Sequence, residues 1–298
     1  MATTISYTNC PACGTATIGK VLVCRDYTVS QEQFEVWECS GCSLRFTQHT
    51  PSAETIGKYY QSENYISHSD TGKGLINKLY KLARRFTLAS KRKLVLKQTG
   101  LQTGKLLDAG CGTGAFLNEM NVSGWQVTGV EPDEGARLKA KELYHLEPLP
   151  DTDLFNLDAN SYDAITMWHV LEHVHDLHGY FTQFKKILAK NGRLFIAVPN
   201  YTSADAAHYG SHWAAYDVPR HLYHFSPASM EALAIHHGFR VTSIKPMLLD
   251  AFYIAMLSEQ YKNGKGNLVR AVWLGISCLF ATTENTKKSS SLIYVLER

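Results

Sequence analysis

The chain has 298 residues, of which 45% are hydrophobic, and a formal net charge of +3. This length suits one large α/β domain plus a smaller unit, and so mild a charge identifies no partner by itself. The first residues lack the apolar region of a signal peptide, and the longest apolar stretch, 268–281, is too short to span a bilayer, so we expect a cytoplasmic protein without a transmembrane segment.

Residues 1–48 contain two Cys-x-x-Cys pairs, Cys10/Cys13 and Cys39/Cys42, separated by short β-like runs. Each pair can present two thiolates from a tight turn, and two pairs complete a tetrahedral zinc site. Four cysteine ligands leave no open coordination position, so we expect a structural role. The sequence therefore predicts a small N-terminal zinc ribbon.

Residues 49–103 are predicted to form a connector followed by a basic helix. The connector contains Tyr65 and His68, which could close over a bound ligand, although packing is the more usual role of such side chains. Apolar residues at helical spacing predict a helix over 74–98. Residues 71–107 contain ten Lys and Arg and no Asp or Glu. This run could meet nucleic acid, anionic lipid or a phosphorylated substrate, or it could be a solvated helix face.

Residues 104–133 predict a strand, a glycine-dense turn, a helix and a second strand. Gly110, Gly112 and Gly114 permit positive φ and let the backbone approach a ligand closely. Backbone N–H groups at the helix start can hold an anionic group. Glu131, at the end of the second strand, is placed to accept hydrogen bonds from both hydroxyls of a ribose. This stretch therefore predicts a cofactor that contains a ribose.

Two features of the turn favour S-adenosylmethionine as that cofactor. Asp108 lies at the junction of strand and loop, where a carboxylate suits the cationic methionine end. The third glycine, Gly114, completes Asp-x-Gly-x-Gly-x-Gly. The looser dinucleotide spacing is also satisfied, by Gly110, Gly112 and Ala115, so a nicotinamide cofactor stays open as the alternative.

Strands and helices alternate over residues 104–200, which is the pattern of a parallel sheet. After Glu131 the predicted elements are a helix, a buried strand, an amphipathic helix and a second buried strand: 134–143, 161–167, 180–188 and 193–200. The remaining predicted elements are a helix, a strand, a helical insertion and a final strand: 226–238, 239–245, 248–281 and 292–297.

A long segment rich in His, Trp, Tyr and Arg, residues 201–225, follows the second buried strand. In open α/β sheets this edge is where ligands bind. We therefore interpret the segment as a substrate lid. A lid that packs only on its own aromatic residues is the alternative.

The order of these motifs resembles that of class I S-adenosylmethionine-dependent methyltransferases. The residues that carry the resemblance are Asp-Ala-Gly-Cys-Gly-Thr-Gly at 108–114, the acidic strand end at Glu131, Ser-Tyr-Asp at 161–163, Leu-Glu-His at 171–173 and Asp-Val-Pro-Arg-His at 217–221. The resemblance implies an α/β fold over 104–298, with a Rossmann-like seven-stranded sheet and helices on both faces. It also implies that Asp151, or alternatively Asp153, contacts the adenine amino group of the cofactor.

A methyltransferase is therefore the leading functional interpretation. Catalysis would be mainly alignment for an in-line displacement, with a base where the acceptor is a hydroxyl or an amine. Histidine is the usual base near neutral pH. The candidate catalytic residues are four histidines and one carboxylate: His169, His173, Asp217, His221 and His224. A nicotinamide-dependent oxidoreductase and a non-catalytic nucleic-acid-binding module are the other two classes.

The acceptor is constrained less closely by the sequence. The domain order, with a zinc ribbon before a methyltransferase-like domain, resembles that of sugar C-methyltransferases and of some ribosomal RNA base methyltransferases. The sugar resemblance implies a nucleotide-linked acceptor, whose diphosphate would suit Arg220 and the basic helix. RNA would also use the basic helix, but no aromatic and basic stripe typical of stacked bases is evident. We therefore expect a small-molecule or glycan-linked acceptor ahead of RNA.

The apolar helix at 268–281 could be part of the core, a homodimer contact or a membrane-surface element.

Overall fold

A computed structural model describes residues 4–61 and 75–298, with side chains from residue 83 onward in the second range. The described strands are β1 Thr4–Ile5, β2 Ile18–Arg25, β3 Gln33–Cys39, β4 Arg45–Thr47, β5 Thr50–Pro51, β6 Lys105–Ala109, β7 Gln126–Val130, β8 Tyr162–Trp168, β9 Leu188–Pro199, β10 Tyr223–His224, β11 Arg240–Pro246 and β12 Ser291–Glu297. Tyr65 and His68, the predicted ligand-closing residues, lie outside the described ranges.

The described α-helices number eight. They are α1 Leu75–Thr99, α2 Ala115–Asn121, α3 Glu134–Tyr144, α4 Leu177–Ile187, α5 Ala204–Tyr209, α6 Pro227–His236, α7 Asp250–Asn263 and α8 Leu268–Glu284. Side chains cap several of their amino ends. Asp133 accepts a hydrogen bond from the Ala136 N–H at α3, and Ser226 and Ser229 form a reciprocal capping box at α6.

The main sheet contains six described strands in the spatial order β11-β12-β9-β8-β6-β7. Strands β7, β6, β8 and β9 are parallel, and β12 and β11 complete the sheet in antiparallel pairing. Parallel neighbours need crossover connections, which α2, α3 and α4 supply. The central strands are almost fully buried, as expected for a sheet covered on both faces. This arrangement confirms the predicted α/β, Rossmann-like class.

The predicted seventh strand is reduced to a single bridge, between Val130 and Leu149. The Leu149 N–H donates to Gly129 O at 2.8 Å, and its carbonyl accepts from the Glu131 N–H at 2.9 Å. Leu149 lies between Pro148 and Pro150, and proline has no N–H to extend a ladder. The flanking prolines therefore restrict this edge to one residue.

The predicted lid contributes a strand to the N-terminal sheet. The strand order there is β10-β4-β3-β2, with Tyr223 opposite Phe46. Buried residues of the two regions also share one hydrophobic core, which includes Leu44, Phe46, Leu222 and Phe225. The N-terminal sheet is therefore packed directly on the α/β part of the chain through the segment that follows β9.

The helical insertion forms a pair of helices, α7 and α8. One face of α8, including Ala271, Leu274 and Cys278, is buried. The opposite face is apolar but exposed, with Trp273 68% and Phe280 70% accessible. The described residues therefore cover only one face of α8. Within residues 4–61 and 75–298, no helix combines the length and apolar content needed to cross a bilayer.

Candidate functional site

The carboxyl ends of β6, β7 and β8 meet at one edge of the main sheet, where the glycine turn lies. Gly110, Gly112 and Gly114 have φ values of 74°, 55° and 80°, a region that favours glycine. A Cβ at Gly110 would collide with the side chain of Val170, whereas a Cβ at Gly112 would meet nothing within 4 Å. The turn is therefore closely packed at its first glycine and open to a ligand at its second.

Asp108 lies near the end of β6 and is 2% exposed. Its Oδ1 accepts a hydrogen bond from Thr166 Oγ1 at 2.6 Å. Burial raises the pKa of this carboxyl, while Thr166 and the Lys91 ammonium favour its charged form. Lys91 Nζ also lies 4.4 Å from the centre of the Trp168 ring. A buried carboxylate at this point would be stabilised by a cationic ligand group.

Glu131 is the residue directly after β7, and its carboxylate accepts hydrogen bonds from backbone N–H groups of the turn and of the loop that follows β7. Oε2 accepts from the Gly112 N–H at 2.8 Å, and Oε1 accepts from the Asp133 N–H at 3.0 Å. Burial raises the pKa of this carboxyl, and the two N–H groups oppose that shift. Each carboxylate oxygen can accept more than one hydrogen bond, so both retain acceptor capacity.

Asp151 and Asp153 lie in the first turn of a short 3-10 helix, Asp151–Asn156. Both side chains are half-buried. This helix follows the Leu149 bridge directly, which places its start at the same sheet edge as Glu131. The structure thus brings both adenine-contact candidates to the predicted cofactor edge.

His169 follows β8 and is held between two carboxylates. Its Nε2 lies 2.9 Å from Asp250 Oδ2, and its Nδ1 lies 3.4 Å from Glu172 Oε1. Burial disfavours the imidazolium, but hydrogen bonding and charge from Asp250 and Glu172 outweigh it and raise the pKa to about 10. His169 is therefore charged at neutral pH in this arrangement, which argues against its acting as the base.

His173 and His221 form a second pair, with ring centroids 4.6 Å apart. His173 Nδ1 lies 3.0 Å from Arg220 O, and His221 Nδ1 lies 2.9 Å from Ala215 O. A carbonyl oxygen only accepts, so each Nδ1 carries a proton. Each ring in its neutral form therefore has a lone pair on Nε2. Burial and the neighbouring His221 lower the pKa of His173 to about 4.

Glu172 faces the same histidine pair. Its side chain is 1% exposed, and neither carboxylate oxygen has a well-formed hydrogen bond from the described residues. Nearby imidazoles, His169 first among them, hold its pKa below the usual range against the effect of burial. Ligand atoms of Glu172, His173 and His221 lie within 4.8 Å of one another, so this group could also hold a metal ion. Glu172 and His173 of this group follow the carboxyl end of β8, and the side chain of the neighbouring Val170 lies against Gly110 of the glycine turn.

Asp217 and Arg220 form a buried ion pair in the predicted lid. Arg220 Nη2 lies 2.5 Å from Asp217 Oδ1 and 3.1 Å from Asp26 Oδ1, and Nη1 donates to Tyr59 O. Arg220 is only 1% exposed. The interpretation of Arg220 as a diphosphate ligand is therefore wrong, because its donors join the lid to the N-terminal ribbon and the connector.

His224 lies on β10, and His221 is close enough for its charge to act on the His224 ring. It is 3% exposed, and its Nε2 lies 3.2 Å from Thr47 Oγ1 on the N-terminal sheet. Burial lowers the pKa of this imidazole well below its ordinary value. The structure places this catalytic candidate in the interface between the lid segment and the ribbon.

The four ribbon cysteines converge on one point. Cys10 Sγ lies 3.6 Å from Cys42 Sγ, and Cys13 Sγ lies 3.6 Å from Cys39 Sγ. All four sulfurs lie within 4.8 Å of one another. Zinc–sulfur bonds of about 2.3 Å in a tetrahedron would place sulfurs at closely similar separations. The donor set therefore fits a four-thiolate zinc ion.

Several site residues were missed by sequence reasoning. Glu172 adjoins His173 in the quoted Leu-Glu-His motif, so an acidic neighbour of a candidate base was a signal that could have found it. Thr166, Lys91 and Asp250 carried no local signal, because each reaches the site from a separate element.

The sheet order, the glycine turn and the acidic strand end together define the class I methyltransferase fold. A family model described as a methyltransferase domain matches residues 80–244, more than half of the chain, and the chain belongs to that family. An S-adenosylmethionine-dependent methyltransferase of known structure from Archaeoglobus fulgidus is 18% identical, with a TM-score of 0.50 over 72% of this chain and 94% of that one. Magnesium protoporphyrin IX methyltransferase from Synechocystis PCC 6803, with bound S-adenosylhomocysteine, is 16% identical, with a TM-score of 0.51 over 82% and 99%.

Two sequence relatives are ubiquinone biosynthesis O-methyltransferases. The protein from Vibrio atlanticus (strain LGP32) is 37% identical over 114 residues, which cover 36% of this chain and 48% of the relative. The protein from Xanthomonas axonopodis pv. citri (strain 306) is 29% identical over 161 residues, covering 49% and 66%. The chain thus spans about half to two thirds of the length of these curated relatives.

Proposed function

We propose that this chain is an S-adenosylmethionine-dependent methyltransferase that acts on a small-molecule, sugar-nucleotide or glycan-linked acceptor. The observation that carries this proposal is that residues suited to the cofactor and residues suited to proton removal follow strands that end at the same sheet edge. Asp108, Glu131 and the open turn at Gly112 suit the cofactor, and the pair of His173 and His221 offers proton acceptors beside them. Membership of the methyltransferase family and relatives named for O-methylation support the same activity.

The cofactor would be held by the residues of the turn and the two strand ends. Asp108 would face the cationic methionine end, Glu131 the ribose hydroxyls, and Asp151 or Asp153 the adenine. The open space at Gly112 would allow the cofactor to lie against the backbone. S-adenosylmethionine, when bound, supplies the methyl group.

The chain's own chemical contribution would be acceptor alignment and proton removal. Nε2 of His221 or of His173 would take a proton from an acceptor hydroxyl or amine, and His173 would be the weaker base because its pKa is lowered to about 4. The buried Glu172 carboxylate would stabilise the resulting imidazolium, as a carboxylate beside a catalytic histidine does elsewhere. Asp217 would act mainly by fixing the backbone around these rings through Arg220.

RNA is the less favoured acceptor, because part of the basic run already has partners within the chain. Lys91 lies over the Trp168 ring near Asp108, and Arg92 Nη1 lies 3.3 Å from Glu119 Oε1. Arg220, the cation of the lid, is buried. These contacts reduce the cationic surface that could neutralise phosphates.

We also propose that Cys10, Cys13, Cys39 and Cys42 hold one structural zinc ion in a ribbon of residues 1–48. The geometry of the sulfurs supports this assignment. The connector of residues 49–103 would then lead into the methyltransferase domain of residues 104–298. Elemental analysis of tag-free protein, after dialysis against a weak chelator, should give one zinc per chain, and no zinc would remove this part of the proposal.

A labelled methyl-transfer assay tests the acceptor class. Protein and radiolabelled S-adenosylmethionine would be incubated with separated small-metabolite, glycan and RNA fractions of the source cell. We expect label in the small-molecule or glycan fraction, reduced by a combined His173→Ala and His221→Ala change. His208→Ala, which alters an exposed histidine outside the pair, is the matched control. Label in RNA alone would reverse the acceptor assignment.

A further inference from the structure

Three histidines form a separate cluster away from the cofactor edge. His178 is the second residue of α4, His236 is the last residue of α6, and His237 follows it. The ring centroids lie 5.0 to 5.3 Å apart. One nitrogen of each ring lies within 4.8 Å of the other two. His236 and His237 follow His178 by 58 and 59 positions in the sequence, and the fold brings the three side chains together.

The hydrogen bonds of His178 show which of its nitrogens is available. Its Nε2 lies 2.9 Å from Pro11 O, and a carbonyl oxygen only accepts, so Nε2 carries the proton. Nδ1 then has a lone pair, directed toward His237 Nε2 at 2.8 Å. Metal-binding histidines commonly donate their second N–H to a backbone carbonyl in this way, which fixes the ring for coordination.

We propose that His178, His236 and His237 bind one divalent transition-metal ion, in addition to the ribbon ion. Three imidazole nitrogens suit Zn²⁺, Ni²⁺ or Cu²⁺, whereas Ca²⁺ and Mg²⁺ need oxygen ligands. The cluster adjoins solvent, so water can fill the remaining coordination position. On binding, His237 Nε2 releases its proton to water and Nδ1 of the same ring takes one up from water, so that the ring stays neutral. Nδ1 of His178 and Nε2 of His237 then both direct their lone pairs to the ion.

The charges around the three histidines have opposite effects on the affinity for a metal ion. His236 and His237 lie at the carboxyl end of α6, where the helix dipole favours a cation. Lys185, on α4, opposes it, because its Nζ lies against Gly238, the residue after His237. An ion with high intrinsic affinity for imidazole is therefore required, which again favours a transition metal.

The site would also link the α/β domain to the ribbon. Pro11, the acceptor for His178, lies between the ribbon cysteines Cys10 and Cys13. An ion that fixes the His178 ring would fix this hydrogen bond as well. Metal binding should therefore stabilise the packing of the first Cys-x-x-Cys turn, Cys10 to Cys13, on α4.

The test is a zinc titration of tag-free, full-length protein that keeps its ribbon ion after dialysis against a weak chelator. Calorimetry at neutral pH should show one further Zn²⁺ per chain. His236→Ala and, as a second variant, His237→Ala should each weaken binding by at least the roughly 10- to 100-fold that loss of an outer partner causes. Lys185→Met should tighten it, and His208→Ala should leave it unchanged.

Cobalt supplies a second readout, because nitrogen and thiolate ligands give different absorption. Co²⁺ added to the zinc-loaded protein should show weak d–d bands without thiolate charge-transfer absorbance. The proposal is overturned if no further ion binds, if both histidine variants bind zinc like the wild type, or if His208→Ala weakens binding equally. That last outcome would show adventitious surface binding only.

Discussion

Replacing Glu131 with alanine is the sharpest test of the proposed cofactor site, because this side chain both stabilises the turn and, in our proposal, binds the cofactor. Its carboxylate accepts the Gly112 and Asp133 N–H groups at 2.8 and 3.0 Å, and in our proposal it also binds the ribose. Losing two charge-assisted ribose bonds should cost about 2–3 kcal/mol of binding free energy. That corresponds to a roughly 30- to 150-fold weaker dissociation constant.

The freed N–H groups add a second, separable effect. Each would lose a hydrogen bond to a charged acceptor, so we expect the variant to be less stable by about 1–3 kcal/mol, with solvent satisfying part of the loss. Calorimetry with S-adenosylhomocysteine measures the first effect, and thermal unfolding without ligand measures the second.

A matched control is available on α3. Glu142→Ala removes an exposed carboxylate from the same region and should change neither quantity. Glu131→Gln keeps one carbonyl acceptor, so its affinity should fall between those of the wild type and Glu131→Ala. Equal affinity of wild type and Glu131→Ala, with the fold intact, would refute the ribose assignment.

Three further predictions concern other parts of the chain. Asp250 raises the pKa of His169, so their pairing stabilises the fold fully below pH 6.5, and this contribution is lost as the pH rises toward about 10. The difference in melting temperature between wild type and Asp250→Asn should therefore shrink over that pH range. Gly110→Ala should destabilise the fold by about 2 kcal/mol or more, since its Cβ would collide with a valine. Gly112→Ala meets no neighbouring atom, so it should add only the smaller backbone strain of a positive φ and, in calorimetry, weaken cofactor binding. Cys39→Ser should lower the zinc content and the melting temperature of the whole chain together, because Cys39 lies in the core shared with the α/β domain.

The local elements of this fold could be predicted from the sequence. The basic helix was expected over 74–98 and is Leu75–Thr99, and the final strand was expected over 292–297 and is Ser291–Glu297. Such elements depend on apolar spacing and capping within a few residues of sequence. The glycine turn was recognisable for a similar reason, since its chemistry lies in one short stretch.

The long-range contacts could not be predicted in this way. Tyr223 pairs with Phe46 across most of the chain, and Arg220 meets Asp26, 194 residues away. Local composition made Arg220 resemble an exposed phosphate ligand, because nothing near it in sequence shows the carboxylates that bury it. The reduced seventh strand depends on tertiary pairing at Leu149, although the prolines that flank this residue are present in the sequence.

Direct calorimetry with S-adenosylmethionine and, separately, with a reduced nicotinamide dinucleotide tests the central claim. The proposed site predicts one S-adenosylmethionine per chain with a dissociation constant on the order of micromolar, competition by S-adenosylhomocysteine, and no binding of the nicotinamide. Binding of the nicotinamide, with no heat from S-adenosylmethionine, would contradict the methyltransferase assignment.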